Sequence, residues 1–338
     1  ITRSASSSYS VDYDDTDADG DDNYTNFTIT AIKTGLTEGS GTAGTVGQAL
    51  TGTYGTLTIN ANGSYSYVAD QAAADDLDAG DIQNDYFNYT VSDGTDTDIA
   101  VLRITVTGIN DAPVAKNDVG VINEDATLTV SNSANANVIG SYDATGEHSG
   151  DVINTSSSSH TDSDPDDSAS LVVSAIRLGG TEGSGTAGSI GSALTGTYGQ
   201  LTIAANGSYS YVANQSAADD LDAGDSVTDV FNYTLSDGTA TDIGTITIKV
   251  LGLNDPVVAV NDTGSVNEDA TLTVSDGSGD IIANNDTDAD DSASLVVSAI
   301  RTGGTEGSGT AGTVGSALTG TYGTLTLNAN GSYSYVAD

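Results

Sequence analysis

The chain has 338 residues, of which 48 are acidic and only 7 are Lys or Arg, a formal net charge of −41 at pH 7. Such a surface repels nucleic acid and anionic membranes, so neither is expected as a partner. Cys, Met and Trp are all absent, so disulfides do not hold the domains together, and packing or metal ions must do that work instead.

The length predicts two to three domains. Hydrophobic residues make up 37% of the chain and fall in alternating runs, which argues against a disordered acidic polymer. The acidity then has two uses, solubility in a salty medium and cation binding. No apolar run approaches the ~20 residues of a membrane span, so membrane insertion is not expected. Ile1 is not a start-codon product, and the chain reads as a piece processed or excised from something longer.

In chain order, the first feature is the acidic run Asp15-Thr16-Asp17-Ala18-Asp19-Gly20-Asp21-Asp22. Carboxylates at every second residue of a turn, here Asp15, Asp17 and Asp19, converge on a hard cation, and Ca²⁺ accepts six to eight oxygen ligands in flexible geometry. It is not an EF-hand: position twelve counted from Asp15 is Asn26, and the flanks are strand-like. Next, Thr56–Ile59 and Ser64–Tyr67 alternate polar and apolar residues on either side of Asn62-Gly63, the signature of a β-hairpin with one buried face. Tyr65 and Tyr67 are read as core residues on that face rather than as a glycan-stacking platform.

The same hairpin returns at Gly196–Tyr211 and at Gly320–Tyr335. Tyr54, Tyr198 and Tyr322 are equivalent, 144 and then 124 residues apart. The difference of 20 residues falls between Ser131 and Ser163, a Ser/Asn/Gly-rich excursion that carries both histidines, His148 and His160. The second copy is complete. Strands are expected at Ala115–Val121, Ala126–Val130 and Leu171–Ile176, with the acidic loop Asp162–Asp167 before the last of them. A long Gly/Thr loop is expected at Gly179–Gly191, a helix at Asn214–Gly224 capped by Asn214, and two closing strands at Val230–Leu235 and Ile243–Val250. Seven to eight short antiparallel strands in such a span predict a β-sandwich.

The copies divide the chain into modules at 1–111, 112–255 (with the excursion at about 131–163) and 256–338. The boundaries Asn110-Asp111-Ala112-Pro113 and Asn254-Asp255-Pro256 are short and stiffened by proline. The second lacks an Ala between Asp255 and Pro256, so a different geometry is expected there. The first copy has no counterpart of Asn123–Val130, and the third stops at the counterpart of Asp70, as a window on a longer array would.

The hairpin motif, the run Phe231-Asn232-Tyr233-Thr234-Leu235-Ser236-Asp237-Gly238 and the run Asn267-Glu268-Asp269-Ala270 together resemble the VCBS-type repeat family over nearly the whole chain. The resemblance implies an all-β chain of tandem Ig-like or cadherin-like β-sandwich modules arranged end to end, in a large secreted bacterial surface protein or adhesin. It implies Ca²⁺ at the joints, held at one by Asn110, Asp111, Glu124, Asp164 and Asp166 and at the other by Asn254, Asp255, Glu268, Asp288 and Asp290. Asp125 and Asp269 stand beside the two glutamates. The further acidic pair that cadherin-like joints take from the preceding module has no evident counterpart in the sequence.

The function this predicts is an extracellular, calcium-rigidified spacer or adhesin stalk whose first partners are its own neighbouring modules. Two rivals stand beside it: a ligand- or glycan-binding adhesin module using the excursion, and a filament subunit that pairs with like chains. No enzyme is expected, since the two histidines sit in the excursion and no thiol or phosphate loop is present. Lys33, Arg177 and Arg301 occupy equivalent positions and are expected to neutralise neighbouring carboxylates.

Overall fold

A computed structural model describes Asp15 and residues 27–131, 150–154, 160–166, 168–290 and 293–338. Asp17, Asp19 and His148 therefore lie outside the described residues. The fold is all-β, built of β-sandwich modules. By proximity the chain gathers into two compact units, one of residues 1–116, 161–174 and 234–244, the other of 117–160, 175–233 and 245–338.

The first repeat contains β1 (Thr28–Thr34), β2 (Ala43–Gly44), β3 (Ala49–Thr51), β4 (Thr56–Ile59), β5 (Tyr65–Val68), a one-turn helix α1 (Ala72–Asp75), β6 (Ile82–Ser92) and β7 (Thr97–Thr107). Two sheets form, β2-β1-β6-β7 and β3-β4-β5. Their apolar faces meet in a core of Ile29, Ile32, Leu50, Leu57, Ile59, Phe87 and Tyr89. These are the inward members of period-two strands, as the alternation requires.

The second repeat contains β8 (Asp118–Asn123), β9 (Thr127–Val130), β10 (Val172–Leu178), β11 (Thr186–Gly188), β12 (Leu194–Thr195), β13 (Gln200–Ile203), β14 (Tyr209–Val212), α2 (Ser216–Asp219), β15 (Ser226–Ser236) and β16 (Thr241–Leu251). Its sheets run β11-β10-β15-β16-β8 and β12-β13-β14-β9. The hairpin register sets Leu201 opposite Tyr211 and Ile203 opposite Tyr209. β8 joins the edge of β16 in parallel, from Ile246 opposite Asp118 to Leu251 opposite Asn123, so the sandwich is not antiparallel throughout.

The third repeat contains β17 (Thr271–Val274), β18 (Ile300–Arg301), β19 (Ala311–Gly312), β20 (Ala317–Thr319), β21 (Gly323–Leu327) and β22 (Tyr333–Ala337). These form the sheets β17-β22-β21-β20 and β18-β19.

A buried carboxylate closes each of the first two sandwiches. Asp85 is 3% exposed and accepts the backbone N–H groups of Thr53, Tyr54 and Gly55 at 2.8, 3.0 and 3.2 Å and the Tyr67 hydroxyl at 2.5 Å. Asp229, also 3% exposed, repeats this with Thr197, Tyr198 and Gly199 at 2.8, 3.0 and 3.1 Å and the Tyr211 hydroxyl at 2.6 Å. A Cβ at Gly196 would stand on that carboxylate, so the turn needs glycine for close approach. Burial, then the neighbouring aspartate, pushes the Tyr67 and Tyr211 hydroxyls well above the usual phenol range, which keeps them as donors.

Three local expectations are corrected. The Gly-rich segment after β10 is not simply a loop: Thr186–Gly188 is β11 and pairs with β10. Its turn is fixed by buried Asn232, whose amide donates to Gly179, Thr181 and Ser184 carbonyls at 2.8, 3.3 and 3.1 Å. The helix expected over Asn214–Gly224 is the single turn Ser216–Asp219, without a side-chain cap. Leu221 is the only large apolar residue in that stretch, too little to hold a longer helix against the sheet. Finally, the excursion is not all surface. Asp151, Val152 and Ile153 are buried, and Asp151 accepts the N–H groups of Ile153 and Asn154 at 2.9 and 2.8 Å. The third repeat builds the same turn with Asp280, which accepts from Ile282 and Ala283 at 2.8 and 2.7 Å. Asp151–Asn154 is thus part of the repeated module.

Candidate metal centres at the two linkers

The first linker follows β7. The Asp111 N–H donates to Asp166 Oδ2 at 3.1 Å, and the Asp166 N–H donates to Asp164 Oδ1 at 3.0 Å. The Asn110 amide donates to Asp237 Oδ2 at 2.9 Å. Carboxylate oxygens of Asp164, Asp166 and Asp237 lie within 4.8 Å of one another. Asp237 sits in the β15–β16 turn, where the N–H groups of Thr239 and Ala240 hold its Oδ1 at 2.6 and 2.7 Å. Those bonds hold its pKa below the usual carboxylate range. Asp78, just past α1, accepts the Ser168 hydroxyl beside this cluster.

The second linker repeats the arrangement. The Asp255 N–H donates to Asp290 Oδ2 at 3.2 Å and the Asp290 N–H to Asp288 Oδ1 at 3.2 Å. A β-bridge joins Val258 to Thr287, as another joins Val114 to Ser163 at the first linker. The Val260 N–H reaches Asp286 Oδ1 at 2.7 Å, as the Lys116 N–H reaches Asp162 Oδ1 at 2.6 Å. The linkers thus have one length and one geometry: Pro256 takes the place of Ala112, and no residue is missing.

Glu124 belongs to this second linker. It is 1% exposed, its N–H donates to Leu251 O at 2.9 Å, and its Oε1 accepts the N–H of Leu253. The grouping of Glu124 with Asn110 and Asp111 is therefore corrected. Glu268, grouped by sequence with Asn254 and Asp255, is exposed at the base of the third repeat, with Asp269 beside it at φ 57°. Asp125 has the same left-handed backbone, φ 59°, and places its N–H on Ala213 O at 3.1 Å. Asp15 lies near the Tyr89 hydroxyl, at 3.4 Å.

Buried carboxylate oxygens at these linkers lack donors. Among the described residues, Asp164 Oδ2, Asp166 Oδ1, Glu124 Oε2 and Asp290 Oδ1 are buried without a hydrogen-bond partner. Asp166 as a whole is 8% exposed. A buried ionised oxygen with no donor is strongly unfavourable, and a cation is the simplest group that satisfies several at once. The electrostatics agree. Burial, then neighbouring Asp166 and Asp75, raises Asp111 above the usual range. Asp166 is raised by burial and by Asp164, Asp78 and Asp237, against the Asp111 bond that lowers it. Glu124 is raised by burial and by Asp255, Asp125 and Asp290, against the Leu253 bond. Asp255 is raised by burial and by Asp125, Asp290, Asp219 and Asp288.

Sequence reading missed Asp237 and the helix acids. Asp75 and Asp78 bear on the first linker and Asp219 on the second, and each recurs between the first two repeats. That recurrence was the available signal, hidden because Ser236-Asp237-Gly238 also satisfies a plain turn. The cations sit elsewhere: Lys33 donates to Gly39 O at 2.6 Å, Arg177 to Gly185 O at 3.3 Å and Arg301 to Gly309 O at 3.4 Å, so each clasps its Gly-rich turn.

The donor set is all oxygen, mostly carboxylate, which suits a hard divalent cation. Residues 110–252 match the family model of the bacterial cadherin-like domain. A calcium-binding lectin, RapA2 of Rhizobium johnstonii, is 26% identical over 205 residues, covering 60% of this chain and 73% of the lectin. Solved structures with similarity include the protocadherin γB3 EC1–4 fragment (11% identity, TM-score 0.36, 92% of this chain and 62% of that one). Another is the protocadherin γB4 extracellular domain (14% identity, TM-score 0.34, 86% and 39%). The chain thus spans less than two thirds of either structure. Among the described residues, no helix is long and apolar enough to cross a membrane.

Proposed function

We propose that this chain is a calcium-rigidified segment of a large extracellular bacterial surface protein, a non-enzymatic spacer or adhesin stalk of VCBS-type repeats. The observation that carries the reading is the repetition, at two linkers, of one carboxylate arrangement with buried oxygens left without donors. Asp111, Asp164, Asp166 and Asp237, with Asn110, would hold an ion at the first linker. Glu124, Asp255, Asp288 and Asp290, with Asn254, would hold one at the second. Bound Ca²⁺ supplies positive charge that offsets the mutual repulsion of these groups. The chain's own residues do the rest: the Asp111 and Asp255 N–H groups tie linker to acidic loop, and Pro113 and Pro256 restrict the backbone between repeats.

Extracellular calcium modules bind at about 10⁻⁴–10⁻³ M, and a hundredfold excess over Kd stabilises the folded state by about 2.7 kcal/mol per site. Small-angle scattering in millimolar Ca²⁺ and in chelator tests the stalk reading. A longer, stiffer particle in Ca²⁺ is expected; identical profiles would contradict it. The second reading, glycan binding, is favoured by the lectin relative. Retention of this chain on a glycan array, lost in chelator, would move the function there.

A further inference from the structure

We propose that the peptide bond between Asp255 and Pro256 hydrolyses itself, with the Asp255 carboxylate as nucleophile and the Asn254 amide polarising the scissile carbonyl. The chain has three prolines, Pro113, Pro165 and Pro256, and an aspartate precedes the last two. At the second linker Asn254 Nδ2 donates to the Asp255 carbonyl oxygen at 2.6 Å. The backbone is pinned on both sides of the bond. Asp290 Oδ2 accepts the Asp255 N–H at 3.2 Å, and Val258 exchanges backbone hydrogen bonds with Thr287 at 2.7 and 3.0 Å. The Asp255 carboxylate accepts no hydrogen bond among the described residues. Asn254 and Pro256 are exposed, so water reaches the bond.

In the reaction a carboxylate oxygen of Asp255 bonds to the residue's own carbonyl carbon and closes a succinic anhydride ring. The attack is intramolecular, so no second molecule has to be positioned. The Asn254 amide stabilises the charge that develops on the carbonyl oxygen. The bond from that carbon to the Pro256 nitrogen then breaks, its electron pair goes to the nitrogen, and the nitrogen takes a proton from solvent. One water opens the anhydride, which leaves Asp255 with a new α-carboxylate and its side-chain carboxylate restored. The net change is hydrolysis of one peptide bond. Proline matters because its nitrogen leaves as a secondary amine and carries no N–H. In other aspartyl bonds that N–H attacks the side chain and closes an imide without cutting the chain.

The molecule carries two controls. At the first linker the Asn110 amide donates to the Asp111 carbonyl oxygen in the same way, but the next residue is Ala112. In the acidic loop, Asp164–Pro165 has the leaving group, but among the described residues nothing donates to the Asp164 carbonyl oxygen. The Asp164 carboxylate is also engaged: Oδ1 accepts the Asp166 N–H at 3.0 Å and Oδ2 is buried. Among the described residues, polarised carbonyl, unengaged carboxylate and proline nitrogen come together at Asp255–Pro256 alone.

The test is incubation of the full, folded chain in chelator at mildly acidic pH, with fragments read by intact-mass spectrometry and N-terminal sequencing. Chelator keeps any ion off Asp255 and Asn254, so the outcome does not depend on the calcium reading. Fragments 1–255 and 256–338 are expected, the second beginning at Pro256, with Asp111–Ala112 intact and Asp164–Pro165 cut more slowly. Asn254→Ala should slow the cut roughly tenfold or more, since the donor to the developing oxyanion is lost. Asp255→Ala and Pro256→Ala should each abolish it. Ala112→Pro supplies the leaving group at the first linker and should add a cut after Asp111; its absence counts against the proposal. In urea, where the Asn254 contact is lost, the two Asp–Pro bonds should break at similar rates whether or not Asn254 is replaced. Circular dichroism checks that each variant is folded before its rate is compared. No cut after Asp255, equal rates at the two Asp–Pro bonds of the folded chain, or a folded-state rate unchanged by Asn254→Ala overturns the proposal.

Discussion

Two sets of aspartates with buried oxygens, one inside the sandwiches and one at the linkers, differ in what surrounds those oxygens. Asp85 and Asp229, inside the sandwiches, each receive three backbone N–H groups and a tyrosine hydroxyl. Asp166 and Asp290, at the linkers, each receive one backbone N–H on Oδ2 and bury Oδ1 without a donor. Burial alone therefore does not mark a metal site. The mark we propose is burial with donors missing, next to more carboxylates, whereas the aspartates inside the sandwiches have their oxygens satisfied and serve the fold.

The comparison can be broken most forcefully at the satisfied member. Asp229→Ala leaves three turn N–H groups and the Tyr211 hydroxyl without their acceptor. It should destabilise by about 3–5 kcal/mol, equally in Ca²⁺ and in chelator, as read by urea denaturation. A loss confined to Ca²⁺ buffer would make Asp229 part of a metal site after all. Glu124→Gln probes the other kind. In chelator it should fall within about 1 kcal/mol of the parent, because a buried charge without full pairing has been removed. In hundredfold-excess Ca²⁺ it should lose up to about 2.7 kcal/mol, the contribution of one site.

Acidity sharpens the same contrast with a smaller effect. Asp111, Glu124, Asp166 and Asp255 have pKa values raised by burial and neighbouring carboxylates in the folded chain, so that state binds more protons than the unfolded one just above the ordinary carboxylate range. The stability they contribute is present at the acid side and lost as pH rises through their folded values. In chelator, melting temperature should therefore rise on mild acidification from neutrality. In Ca²⁺ it should fall over the same window, because protons compete with the ion. Parallel curves in the two buffers would contradict the assignment.

Much of this was legible in the sequence. Leu57, Ile59, Tyr65 and Tyr67 alternate with Thr and Ser, and period two fixes which face is buried, so the hairpins and the all-β fold follow. The acidic loops and Asn-Asp linkers were visible for the same reason, their recurrence at fixed spacing. What failed was long-range pairing. Nothing local tells Glu124 that its strand runs parallel to β16 and ends beside Leu253, so it was grouped with the linker nearest in sequence. Asp237 was hidden in a turn that needs an aspartate anyway, and Val152 in a polar stretch whose composition reads as surface.

The most direct measurement is thermal denaturation of the parent chain and of the Asp166→Asn/Asp290→Asn double variant, each in millimolar Ca²⁺ and in chelator. The account predicts a large upward shift with Ca²⁺ for the parent, a shift mostly lost in the variant, and a variant at least as stable as the parent in chelator. Equal shifts for both chains, or no shift for the parent, would contradict it.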